Sequence, residues 1–193
     1  EISACLVGSE MCIRDSQSVI KNKYLHHTQT LRERLFRPRY RTAAMSQFSA
    51  LIDDTWILEG CRTPFIDYCG AFGTLSPTDM GIKVAREALA RSGVAATAIE
   101  SVIAGSMAQA DFDAYMLPRH IGLYAGVPIA TPSTLAQRIC GTGFELFRQA
   151  ADQIALGYAR TALVVGTESM TRNPIAAYTH RSGFRLGAPV EFK

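Results

Sequence analysis

The residue best placed for chemistry is the thiol of Cys140, within the stretch Gln137-Arg138-Ile139-Cys140-Gly141-Thr142-Gly143-Phe144-Glu145-Leu146. The run from Thr131 to Gln137 is extended and partly β-branched, which predicts a buried strand, and after Cys140 the pattern changes to a helical period. The cysteine therefore falls where strand gives way to helix. Free N–H groups and the positive end of a helix dipole favour thiolate over thiol, and the thiolate is the nucleophilic form. Gly141 and Gly143 leave the sulfur open to a planar acyl group. Cys140 is thus the candidate catalytic nucleophile, an acceptor of acyl groups.

Other reactive residues lack such a setting. The remaining cysteines, Cys5, Cys12, Cys61 and Cys69, form no Cys-x-x-Cys pair, and the odd total of five reads as free thiols in a reducing compartment. Cys61 and Cys69 are expected to be packing residues. Asp111 and Asp113 precede a helix and read as a cap and a solvated turn rather than a cation site, since no further oxygen ligands accompany them. His120 is expected to pack or to face water on that helix. The adjacent pair His26-His27 has no nearby third ligand. No metal is expected.

Alternating strands and helices must position the thiol. Residues 55 to 61 suit a first strand that Arg62-Thr63-Pro64 ends. Ser76 or Thr78 caps a helix with Pro77 in its first turn, Met80, Val84, Ala85, Ala88 and Leu89 on its apolar face, and Gly93 as its stop. Ser101 to Ser106 is a second strand buried on both faces. A helix runs from about Tyr115 to Tyr124 and ends near Gly126 and Pro128. The strand from Thr131 to Gln137 follows, then a helix on which Cys140, Phe144, Phe147, Ala151 and Ile154 form an apolar stripe. That stripe predicts a thiol drawn into the core. Thr161 to Gly166 is a fourth buried strand, leading to the polar turn Thr167 to Met170. The order predicts an α/β domain with a mostly parallel sheet beneath helices.

Composition is that of an ordinary globular protein, with 48% hydrophobic and 19% charged residues in a chain of 193. The formal net charge of +3 is unevenly placed. Residues 1–46 carry eight Lys and Arg against four Asp and Glu, whereas 47–193 carry twelve against thirteen. The main part is therefore near neutral and has no basic stripe to track phosphates, which argues against nucleic-acid binding. No apolar run reaches membrane-spanning length. A soluble cytoplasmic protein is expected.

Residues 1–46 are read as a leader without a packed element, Met45 as the start of the protein proper, and Cys5 to Asp15 as a segment resembling a translated cloning adapter. Seven basic residues and one acid between positions 17 and 46 also resemble an organelle transit peptide, and this gives the alternative of a mitochondrial location. Residues 47–170 form the α/β domain. From 171 to 193 the period is lost, and the chain reads as stopping within a loop.

Three motifs in order carry a family resemblance. Arg62-Thr63-Pro64-Phe65 follows the first strand, Arg138-Ile139-Cys140-Gly141-Thr142-Gly143 leads into the nucleophile helix, and Gly166-Thr167-Glu168-Ser169-Met170 follows the fourth strand. Together they resemble the amino-terminal half of the thiolases, over roughly Thr55 to Lys193. The resemblance implies a layered α/β/α fold and a CoA-binding loop region beginning in 171–193. It also implies an acyltransferase that cleaves a 3-ketoacyl-CoA with CoA, or condenses two acyl-CoA molecules, through an acyl group on Cys140. CoA and acyl-CoA would be substrates, with no permanently bound cofactor, in a homodimer or homotetramer. The family's catalytic histidine and second, acid-base cysteine belong to its carboxy-terminal half and have no counterpart in these residues. His180 is not in a Gly-His-Pro context and is not assigned that role. This chain alone is therefore expected to be inactive. Two other readings are a ketoacyl-synthase-like condensing enzyme and a non-catalytic ligand-binding α/β module. The second is disfavoured because Cys61 to Gly70 contains no Gly-x-Gly-x-x-Gly turn.

Overall fold

A computed structural model describes residues 2–8, 20–21, 40–41, 51–52, 55–108 and 110–174. The strands are β1 (Ile2–Gly8), β2 (Ile20–Lys21), β3 (Tyr40–Arg41), β4 (Leu51–Ile52), β5 (Thr55–Arg62), β6 (Ser101–Gly105), β7 (Ser133–Leu135) and β8 (Thr161–Gly166). The α-helices are α1 (Pro77–Ser92), α2 (Leu117–Tyr124) and α3 (Thr142–Ala155). The main sheet runs β5-β1-β8-β6-β7, with β2 also paired to β8, and β3 and β4 pair separately. Strands β5, β1, β8, β6 and β7 are mutually parallel along this path.

Alternation along the central strands explains the layers. Val102, Ala104, Leu163 and Val165 point to one face and pack with Val84, Ala85, Ala88 and Leu89 of α1 and with Leu117 and Ile121 of α2. Ile103, Ala162 and Val164 point to the other and pack with Leu146, Ala150 and Ile154 of α3. Successive residues of a strand face opposite ways, so apolar residues at every position require cover on both sides. The result is the expected α/β/α sandwich.

Helix α1 shows how local sequence sets an element. Ser76 adopts an extended backbone, its Oγ accepts the Asp79 N–H at 2.9 Å, Pro77 enters the first turn, and Gly93 closes the helix in the left-handed region at φ 66°. All five residues expected on its apolar face are buried. Ser76→Ala should cost about 1 kcal/mol, readable as a fall of roughly 2–4 °C in Tm; an unchanged Tm would show that the cap contributes nothing.

Several expectations are corrected. Within residues 1–46, read as a leader, the run Ile2–Gly8 is a strand whose backbone pairs with both β5 and β8. The third predicted strand is only Ser133–Leu135 and half-buried, because it is the terminal strand and pairs on one side alone. Cys69 is exposed rather than packed, with φ 59° and its N–H donating to Thr171 Oγ1 at 2.9 Å. Cys61 is buried as expected: its Sγ donates to the Val84 carbonyl oxygen at 3.2 Å, and burial pushes its thiol up to about 11. His180 lies outside the described residues, as does most of the expected loop region.

Candidate active site

Strand β7 ends where it meets Gly105 of β6. A Cβ at position 105 would lie 2.2 Å from the Ala136 carbonyl oxygen and 2.7 Å from Thr142 Cγ2, so the backbone leaving β7 crosses directly over this glycine. The Ala136 N–H still reaches the Ala104 carbonyl at 3.1 Å, and Gln137 Nε2 donates to the Met107 carbonyl at 2.5 Å. These contacts fix the entry to the turn that carries Cys140.

Thr142 closes that turn from the other side. Its Oγ1 accepts the Arg138 N–H at 2.8 Å and donates to the Ile139 carbonyl at 2.6 Å, while the Gly141 N–H reaches the Arg138 carbonyl at 2.9 Å. So tight a loop forces Ile139 into the left-handed region at φ 49°. For a β-branched residue this costs on the order of 1–3 kcal/mol and persists only because neighbouring contacts impose it. Cys140 follows, immediately before Gly141, the N-cap of α3.

Cys140 is exposed. This overturns the expectation of a sulfur drawn into the core. Helix α3 begins at Thr142, not at the cysteine, and its inward face is Leu146, Ala150 and Ile154, while Phe144 is 71% exposed. The stripe through Cys140 and Phe144 is thus rotated away from the face that packs. An exposed sulfur two residues before a helix suits a nucleophile that must meet a substrate from solvent.

Charge around the turn is organised by Glu145 in the first turn of α3. Its carboxylate accepts from Arg148, from Gln149 Nε2 at 3.0 Å and from Arg138 Nη1 at 3.1 Å. The Arg148 guanidinium foremost, with Gln149 and Arg138, holds this carboxyl down to about 2. A folded-state value below the ordinary 4.5 means stability that is present above that pH and is lost as pH falls toward 2. Glu145→Gln should therefore flatten the acid limb of a Tm-against-pH curve between about 4.5 and 2; an identical limb in the variant would exclude Glu145 as its source.

The sequence reading missed the residues that build this turn. Thr142 was readable as a helix-start threonine. Glu168, in the motif after β8, was read as part of a polar turn. Its carboxylate is buried and accepts from the Met107 N–H at 2.6 Å, the Ala108 N–H at 3.3 Å and Ser106 Oγ at 3.2 Å. It therefore holds the loop whose Met107 carbonyl receives Gln137. The pair Asp111 and Asp113 is likewise not a solvated turn: their side chains are 6% and 11% exposed. Asp113 accepts from Thr78 Oγ1 at 3.2 Å and pairs with His120 Nδ1, and Asp111 faces Arg172. Cys140 does not line the cleft that contains Thr78, Asp111, Asp113 and His120.

The family model of the thiolase N-terminal domain matches residues 55–191. The chain belongs to the thiolase family. The bovine mitochondrial 3-ketoacyl-CoA thiolase is 35% identical over 144 residues, 75% of this chain and 36% of that protein. Beta-ketothiolase BktB of Cupriavidus necator is 34% identical over 131 residues, 68% of this chain and 33% of its own length. Among solved structures, human mitochondrial 3-ketoacyl-CoA thiolase in complex with CoA superposes with a TM-score of 0.62 at 35% identity, over 68% of this chain and 33% of that one. The Bacillus anthracis acetyl-CoA acetyltransferase gives 0.61 at 31% identity. The chain thus spans about a third of the length of these thiolases. Its sheet and two helical layers are the thiolase fold in incomplete form.

Proposed function

We propose that Cys140 is the acyl-accepting nucleophile of a thiolase-type acyltransferase, with acyl-CoA thioesters and CoA as substrates. The observation that carries this reading is the exposed sulfur on the strained turn directly before α3. In the transfer step the Cys140 sulfur attacks the carbonyl carbon of a thioester. A new C–S bond forms as the bond to the CoA sulfur breaks, and CoA departs with the proton. Exchange between two sulfurs of similar energy leaves an intermediate that a second acceptor can discharge. The oxyanion formed on the way needs donors aimed at it. In the reading by family resemblance, the histidine that removes the thiol proton and the second cysteine that serves as acid belong to the carboxy-terminal half.

Turnover should therefore be negligible for residues 1–193 alone. Supplied with the carboxy-terminal two thirds of the bovine thiolase, the chain should gain acetoacetyl-CoA cleavage. A rate from residues 1–193 alone comparable to that of intact thiolases would overturn this division of labour. The assembled enzyme is proposed to be a homodimer or homotetramer. A cytoplasmic location is retained, with the mitochondrial one as the alternative if the basic leader is genuine, an alternative that the names of the mammalian relatives support.

A further inference from the structure

One hydroxyl spans the turn that carries the thiol. Thr142 Oγ1 accepts the Arg138 N–H at 2.8 Å and donates to the Ile139 carbonyl oxygen at 2.6 Å, so its proton and a lone pair are both engaged by backbone ahead of Cys140. These two bonds lie on either side of the Ile139 Cα, the centre held at φ 49°. Among the described residues this hydroxyl is the one side-chain group hydrogen-bonded to the Ile139 backbone. The threonine is itself well seated. It is buried, and a Cβ at Gly105 would lie 2.7 Å from its methyl carbon, so the methyl rests against the bare backbone of β6.

Packing does not hold the residues in between. Cys140 is exposed and outside both core clusters, and Ile139 is 58% exposed. The direction of the sulfur is therefore set by backbone angles at 138–142. A β-branched residue leaves the left-handed region unless neighbouring contacts keep it there. With φ at 139 free to return to negative values, every atom from Cys140 onward is re-aimed relative to β7.

We infer that Thr142 is a positioning residue for Cys140: its hydroxyl is the latch that keeps Ile139 left-handed and so fixes where the sulfur is presented. The catalytic consequence rests on the reading of Cys140 as the nucleophile, whereas the latch itself rests on the turn alone. Two roles separate at position 142. The methyl seats the start of α3 on Gly105, and the hydroxyl governs the turn, so serine should preserve the presentation of the thiol and valine should lose it.

Two arms test this. On the chain itself, NMR reads the intraresidue HN–Hα contact of Ile139, which is strong at positive φ, and the exchange rate of the Arg138 amide. Thr142→Val should lose the strong contact and speed Arg138 exchange at least about tenfold, while Thr142→Ser should keep both. In the chain complemented with the carboxy-terminal two thirds of the bovine thiolase, Thr142→Val should lower kcat at least about thirtyfold with KM within about twofold, as for a misplaced nucleophile. Adding Ile139→Gly should recover at least about fivefold of that loss, because glycine adopts positive φ without a latch. Thr142→Ala also removes the hydroxyl, and is read by the same criteria where the valine variant does not fold. An Ile139 that stays left-handed without the hydroxyl would overturn the inference, as would a serine variant as impaired as valine or a loss of kcat that Ile139→Gly leaves untouched. An unaltered complemented chain without turnover would count against the acyl-transfer reading and not against the latch, which the first arm decides without catalysis.

Discussion

Cys140→Ser in the chain complemented by a thiolase carboxy-terminal portion is expected to lower acetoacetyl-CoA cleavage by at least about a thousand-fold, a scale typical of losing a covalent nucleophile. Serine preserves size and a proton, but its hydroxyl is a far weaker nucleophile than a thiol near neutral pH. The side chain is exposed and outside both core clusters, so stability should change by no more than about 0.5 kcal/mol. Cys61→Ser makes the informative contrast. That sulfur is buried between β5 and α1 and bonded to the Val84 carbonyl, so its replacement should cost about 1 kcal/mol in stability and little in rate per folded molecule. Activity in Cys140→Ser within tenfold of the unaltered protein would remove the basis for assigning the chemistry to this residue.

What made the fold readable was local consistency. In α1 the cap, the proline, the apolar period and the closing glycine all indicate one helix, and strands β6 and β8 are apolar at nearly every position because helices cover both faces. The thiolase motifs lie on these well-determined elements. The setting of Cys140 was harder to read, because it depends on contacts distant in sequence. Gly105 lets the chain cross over β6, and Thr142 locks Arg138 and Ile139 into a loop that no helical or strand period describes. A periodic template extended backward from α3 therefore absorbs Cys140 into the helix and turns the sulfur inward, one step of phase from where it lies. Strand β1 escaped for another reason. Its composition is compatible with a strand, yet nothing within Ile2–Gly8 specifies that its partners are 53 or more positions further along the chain.

Glu168→Ala should be the most destabilising of the single substitutions considered, by about 3 kcal/mol, or roughly 6–12 °C in Tm. The carboxylate is buried, and its removal would strip acceptors from the Met107 and Ala108 N–H groups and from Ser106 Oγ together. Two of these are backbone donors, and an unsatisfied buried donor costs more than the hydrogen bond is worth in net terms. Glu168→Gln should fall between the two, because one carboxamide oxygen can still accept while its NH₂ group faces donors. Glu87→Ala, which breaks only the exposed Arg91–Glu87 pair, should stay within about 0.5 kcal/mol. The loop held by Glu168 also presents the Met107 carbonyl to Gln137, three residues before the thiol. Loosening it should therefore leave Cys140 labelled by iodoacetamide yet heterogeneous in rate, where the unaltered protein shows a single phase. Thermal unfolding of Glu168→Ala within 1 kcal/mol of the unaltered protein, with single-phase labelling retained, would mean that the Cys140 turn is held from the Thr142 side alone.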